Sequence, residues 1–74
     1  MYLNIKEIKM IIVDLIKELM YQENLSIEDM VDKTKLPYEV IANIVNKDII
    51  PVPVYAEIIL NVFGFTLEEV LILY

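Results

Sequence analysis

Apolar residues recur along this chain at the three- and four-residue spacing of a helix, and nowhere with the alternation of a strand. Asn4, followed three residues later by Glu7, offers an N-cap. Ile5, Ile8, Ile12, Leu15, Ile16 and Leu19 then follow at helical intervals to about Tyr21. Met10, Val13 and Met20 fall off that stripe, so the first helix is expected to be apolar on more than one face. Ser26 with Asp29 marks the start of a short second helix over about 26–33, with Met30 and Val31 as its core residues. Pro37 suits the first position of a third helix, which carries Val40, Ile41, Ile44 and Val45 and ends near Asn46. Lys47 to Val52 reads as a loop, because Pro51 and Pro53 prevent continuation. Pro53 opens a fourth helix through Ile58, Ile59, Val62 and Phe63. Gly64, the only glycine, sits where a left-handed C-cap is needed. Thr66 and Glu69 form a capping box for a last helix ending in Leu71, Ile72, Leu73 and Tyr74. The pattern predicts an all-α chain of five helices, one domain over residues 1–74, without repeats or linkers.

Composition changes that picture in one respect. A chain of 74 residues lies near the lower limit of what folds on a hydrophobic core alone. Without cysteine, neither a disulfide nor a thiolate metal site can supplement that core. Yet 58% of the residues are hydrophobic and the mean hydropathy is +0.58, more than so small a domain can bury. Apolar surface left exposed marks an interface, and a homodimer is the simplest expectation. Met10, Val13, Leu71, Leu73 and Tyr74 are its candidate seam, unless Leu71, Leu73 and Tyr74 cover Met10 or Val13 of their own chain.

The apolar runs Met10 to Val13 and Val70 to Tyr74 fall far short of the roughly 20 residues of a spanning helix. Asn4, Lys6, Glu7 and Lys9 exclude a signal peptide. A soluble, cytoplasmic protein is expected, and the opening Met suggests a natural N-terminus.

The order and spacing of these helices resemble the five-helix domain of the phage-repressor (XRE/Cro) helix-turn-helix family. The likeness runs without insertion from about Ile12 to Leu71. Leu25-Ser26-Ile27-Glu28-Asp29-Met30-Val31 is similar to the family's L-S-Q-E-E-L-A. Leu36 matches the aliphatic residue after its turn, and Ile41 and Ile44 match the core positions of its recognition helix. Pro51 falls on its loop proline, and Phe63 to Val70 resembles its closing L-G-V-S-L-D-E-L. The resemblance implies a compact lambda-repressor-like fold.

The departures lie at the DNA-facing positions. Ile27 stands where the family has a phosphate-contacting glutamine, and Lys35 where its tight turn has glycine. Lys35 must therefore adopt a left-handed conformation or alter the turn. Pro37-Tyr38-Glu39 opens the third helix in place of small polar or basic residues. Val45, Lys47, and Asp48-Ile49-Ile50 replace a glutamate, a glycine and basic residues, and Met20 replaces an arginine.

Charge points the same way. The net charge is −6, and all six basic residues are lysines (Lys6, Lys9, Lys17, Lys33, Lys35 and Lys47). Nucleic-acid binders carry a basic footprint, and arginine is the commonest bidentate reader of guanine. Between Ser26 and Ile50 three lysines face five acids, Glu28, Asp29, Asp32, Glu39 and Asp48. What is left to read bases is Tyr38, Asn43, Asn46 and Lys47. The two asparagines are equally expected as solvated residues of an amphipathic helix.

Three function classes follow. In the first, Ile27, Tyr38, Glu39, Ile49 and Ile50 form a protein-binding face that suits a basic partner, a regulator or nucleic-acid enzyme, in an inhibitor or antirepressor role. The plainer expectation for Ile27, Ile49 and Ile50 is local packing or a dimer contact. In the second, the chain is a sequence-specific DNA-binding transcriptional regulator. The third, an enzyme, lacks its parts: there is no His or Cys, and the single Ser is an expected N-cap. Neither catalysis nor a cofactor or metal is expected. Glu28/Asp29 and Glu68/Glu69 sit in first helical turns, where they favour the helix dipole.

Overall fold

Helical periodicity becomes five helices in a computed structural model of the chain, which describes the backbone of residues 5–73 and the side chains of residues 10–71. They are α1 (Ile5–Gln22), α2 (Ile27–Thr34), α3 (Tyr38–Lys47), α4 (Pro53–Val62) and α5 (Leu67–Leu73), with no strand among the described residues. The chain is all-α. No described helix is long and apolar enough to cross a membrane. The expected cap at Asn4 and the expected core residues Ile5 and Ile8 lie outside the described side chains.

The core side of α1 differs from the expected stripe. Val13 is fully buried and Met20 is 5% exposed, alongside Ile12 and Ile16. At 3.6 residues per turn, Val13 and Met20, seven apart, fall nearly on one line of the helix. The buried arc runs over Ile12, Val13, Ile16 and Met20, and Leu15 and Leu19 flank it, partly buried. Val13 and Met20 are thus core residues rather than a second apolar face, and Val13 leaves the candidate dimer seam. Around that arc, α2 packs on α3 and α4, α1 on the same two helices, and α5 on α4. Met30, Ile41, Ile44, Ile59, Leu60 and Val70 complete the centre, each at most 1% exposed. Val31, Val40, Val45, Ile58, Val62 and Phe63 pack around it, partly buried.

Several helix ends are closed by caps that their local sequence signals. After α1, Asn24 takes φ 55°, and the Leu25 amide donates to the Met20 carbonyl at 2.8 Å. The Ser26 hydroxyl accepts from the Asp29 amide at 3.1 Å, and the Asp29 carboxylate accepts from the Ser26 amide at 2.9 Å. That reciprocal box satisfies two amides the first turn leaves unpaired. The bonds from the Ser26 backbone amide and then its hydroxyl hold the Asp29 carboxyl below the usual aspartate value.

At the other end of α2, Lys35 adopts φ 61°, the left-handed alternative, and its amide donates to the Val31 carbonyl at 2.8 Å. Buried Thr34 links the turn: its hydroxyl donates to the Met30 carbonyl at 2.7 Å and accepts from the Leu36 amide at 3.2 Å. Pro37 is the N-cap of α3 rather than its first residue, so the helix starts at Tyr38, one residue later than expected. Gly64 takes φ 85°, and the Phe65 amide returns to the Leu60 carbonyl at 3.1 Å, the C-cap its position predicts. Thr66 and Glu69 form their capping box, with the Glu69 amide 3.0 Å from the Thr66 hydroxyl. The Glu57 carboxylate on α4 adds a bond from the Leu67 amide, tying the start of α5 to α4.

Two predictions follow from these caps. Left-handed backbone strains a side chain with a Cβ by about 1–2 kcal/mol, so Lys35→Gly should raise unfolding stability by up to about 1 kcal/mol in urea titration, the added freedom of the unfolded chain offsetting part. Asp29, lowered in the folded state, contributes stability in full above its ordinary pKa of about 4. That contribution disappears as the pH drops through the folded value. Asp29→Asn should therefore flatten the fall of melting temperature below about pH 4 followed by circular dichroism.

Candidate interaction surface

The turn at Lys35 and the cap at Asp48 bracket α3, and both are left-handed, φ 61° and φ 53°. Asp48 is held there from two sides. The amides of Asp48 and Ile49 both turn back to the Asn43 carbonyl. Its carboxylate accepts from the Lys17 ammonium of α1 at 2.7 Å. This contact, unforeseen in the sequence because 31 residues separate its partners, pins the end of α3 to α1. The hydrogen bond to Asp48 raises the Lys17 pKa above the ordinary lysine value, against a smaller opposing effect of burial. Both side chains are substantially exposed, so salt should weaken the pair.

The side chains expected to bind a partner do not converge. Tyr38 is 51% exposed and Glu39 is exposed, both at the start of α3. Ile49, 48% exposed, lies two residues past the end of α3, so the roughly 15 Å length of that helix, at 1.5 Å per residue, separates it from Tyr38. Ile27 and Ile50 are partly buried against the core, so the local packing considered for them accounts for much of their apolar area. Among the residues of the DNA reading, Asn43 is partly buried, and Asn46 and Lys47 are exposed. Glu39, Asn43 and Asn46, spaced by four and three, line one face of α3 with Lys47 beside them. Of the dimer seam, Met10 is partly buried and Leu71 is 45% exposed, while the side chains of Leu73 and Tyr74 lie outside the described residues.

Two residues that sequence reasoning passed over complete the surface. Val52 and Val54 are 54% and 62% exposed, so with Ile49 three exposed aliphatic side chains fall within residues 49–54, an apolar edge interrupted by the partly buried Ile50 and Pro51. The signal was present. Val52 lies between two prolines, and Val54 sits two residues from Ala56, opposite the buried line Ala56, Ile59 and Leu60. Comparison with known protein families, curated proteins and solved structures finds no match to this chain.

The exposure of this edge is open to a direct check. Val54 occupies the first turn of α4, which carries no acid. Val54→Asp should leave urea stability within about 0.5 kcal/mol of the parent or raise it slightly. A loss above about 2 kcal/mol would show Val54 to be covered in the native protein. Val13→Asp, in the core, should unfold the chain.

Proposed function

We propose that this chain is a small regulatory protein that uses a repressor-like helix-turn-helix frame for protein contacts, in the manner of an inhibitor or antirepressor. The observation that carries this reading is the exposure of three aliphatic side chains, Ile49, Val52 and Val54, between the end of α3 and the first turn of α4. Removing such side chains from water favours binding by roughly 25 cal/mol per Å², whereas a phosphate backbone gains nothing from them. The acids point to a basic partner. Glu28, Asp29, Asp32 and Glu39 are all exposed on α2 and α3, and the Lys35 ammonium lies 3.4 Å from Asp32. That leaves the α2–α3 surface negative, which accelerates encounter with a basic protein and repels a nucleic acid.

A DNA-binding regulator is the second reading, favoured by the shared face of Asn43, Asn46 and Lys47 on α3. Asparagine pairs with adenine and lysine with guanine or phosphate. Glu39 on the same face opposes it.

Titrating a labelled mixed-sequence duplex with the protein at low salt separates the two, because every DNA binder has non-specific, salt-dependent affinity. No change in anisotropy at low salt is expected. Binding that falls steeply as salt rises, and that Lys47→Glu removes, would overturn the protein-contact reading.

A further inference from the structure

Away from α3, the outer face of α1 carries an open groove of about 370 Å³ lined by Ile11, Asp14, Leu15 and Glu18. On a helix with 100° between residues, these four sit around a direction nearly opposite the buried arc of Ile12, Val13, Ile16 and Met20. Their spacing of three, one and three makes four neighbours around one surface depression. That is the arrangement that receives a side chain from a facing helix in knobs-into-holes packing. One pair of walls, Ile11 and Leu15, is apolar and partly buried. The other pair, Asp14 and Glu18, is exposed and anionic.

We infer that this groove of α1 receives an amphipathic α-helix of a basic partner protein, an apolar side chain seated between Ile11 and Leu15 and lysines or arginines beside Asp14 and Glu18. Charge selects the occupant. Lys17, the nearest cation along α1, lies one turn from Asp14 and feels its charge, but its ammonium is bonded to Asp48 at 2.7 Å, which draws it toward the end of α3. Gln22 donates to one Glu18 oxygen at 3.1 Å, which orients that carboxylate without neutralising it. A second copy of this chain on the same patch would bring a further Asp14 and Glu18 to it and double its negative charge. A basic helix meets the same carboxylates with opposite charge. The inference is independent of what α3 contacts, because it concerns a different face of the molecule.

The test is fluorescence anisotropy with two labelled model helices of about 18 residues, long enough to be helical when bound. One is built from leucine and lysine, the other from leucine and glutamate. The parent protein should bind the leucine–lysine helix and not its glutamate counterpart. The double variant Asp14→Lys/Glu18→Lys should weaken that binding by at least about tenfold. The charge-matched control Glu28→Lys/Asp32→Lys, on α2, should change it less than about threefold. Circular dichroism confirms that each variant is folded, as expected for exposed positions. Failure of the parent to bind the leucine–lysine helix would overturn the inference, and so would equal losses in the two double variants. A parent chain that sediments as a dimer which Ile11→Glu dissolves would assign the groove to a second copy instead.

Discussion

No helix of this domain is long enough to stand alone except α1, and the whole structure depends on the core the helices share. Isolated helices shorter than about 12–15 residues are marginal in water, whereas α2 has 8 residues, α3 and α4 have 10 each, and α5 has 7. Their persistence comes from Ile16, Met30, Ile41, Ile44, Ile59, Leu60 and Val70, each closed from solvent by side chains of other helices. With no disulfide in the chain, that apolar contact is the main source of cohesion. The unusual hydrophobicity of so short a chain follows in part from this requirement.

A core shared among short helices demands sharp turns, and the turns are where the chain accepts local strain. Asn24, Lys35 and Asp48 take left-handed backbone without being glycine, and Gly64 does so at no steric cost. Asn and Asp tolerate that region through local hydrogen bonds. Lys35 has no such help from its side chain, and its conformation is supported by the backbone bond to Val31 and by the Thr34 hydroxyl beneath it. Among the described residues no buried side-chain nitrogen or oxygen lacks a partner, so strain here is not compounded by an unsatisfied polar group.

The surface divides the molecule by chemistry. The α3–α4 connection is apolar and exposed, α2 and the start of α3 are acidic, and the outer face of α1 combines both characters in one groove. An acidic surface without arginine offers few groups that neutralise phosphates. The ion pair between Lys17 and Asp48 sits between two of these regions and ties α1 to the end of α3.

Local signals acted over a few residues, and those determined much of the fold from the sequence alone. Ser26 with Asp29, Pro53, Gly64, and Thr66 with Glu69 set helix ends within a residue of where they occur, because capping is chemistry between near neighbours. The left-handed turn at Lys35 was one of two outcomes its position allowed, and packing of α2 on α3 selected it. The hydrophobic period identified the helices but set the buried face of α1 one residue out of phase. A stripe of adjacent apolar residues permits several faces, and only contact with α3 and α4 chooses Val13 and Met20. The same limit held for the surface. Composition required that some apolar area stay exposed, but the tertiary structure decided that Ile27 and Ile50 lean on the core while Ile49, Val52 and Val54 do not. Exposure and long-range pairs such as Lys17 with Asp48 depend on which distant segments arrive beside a residue, and no local pattern encodes that.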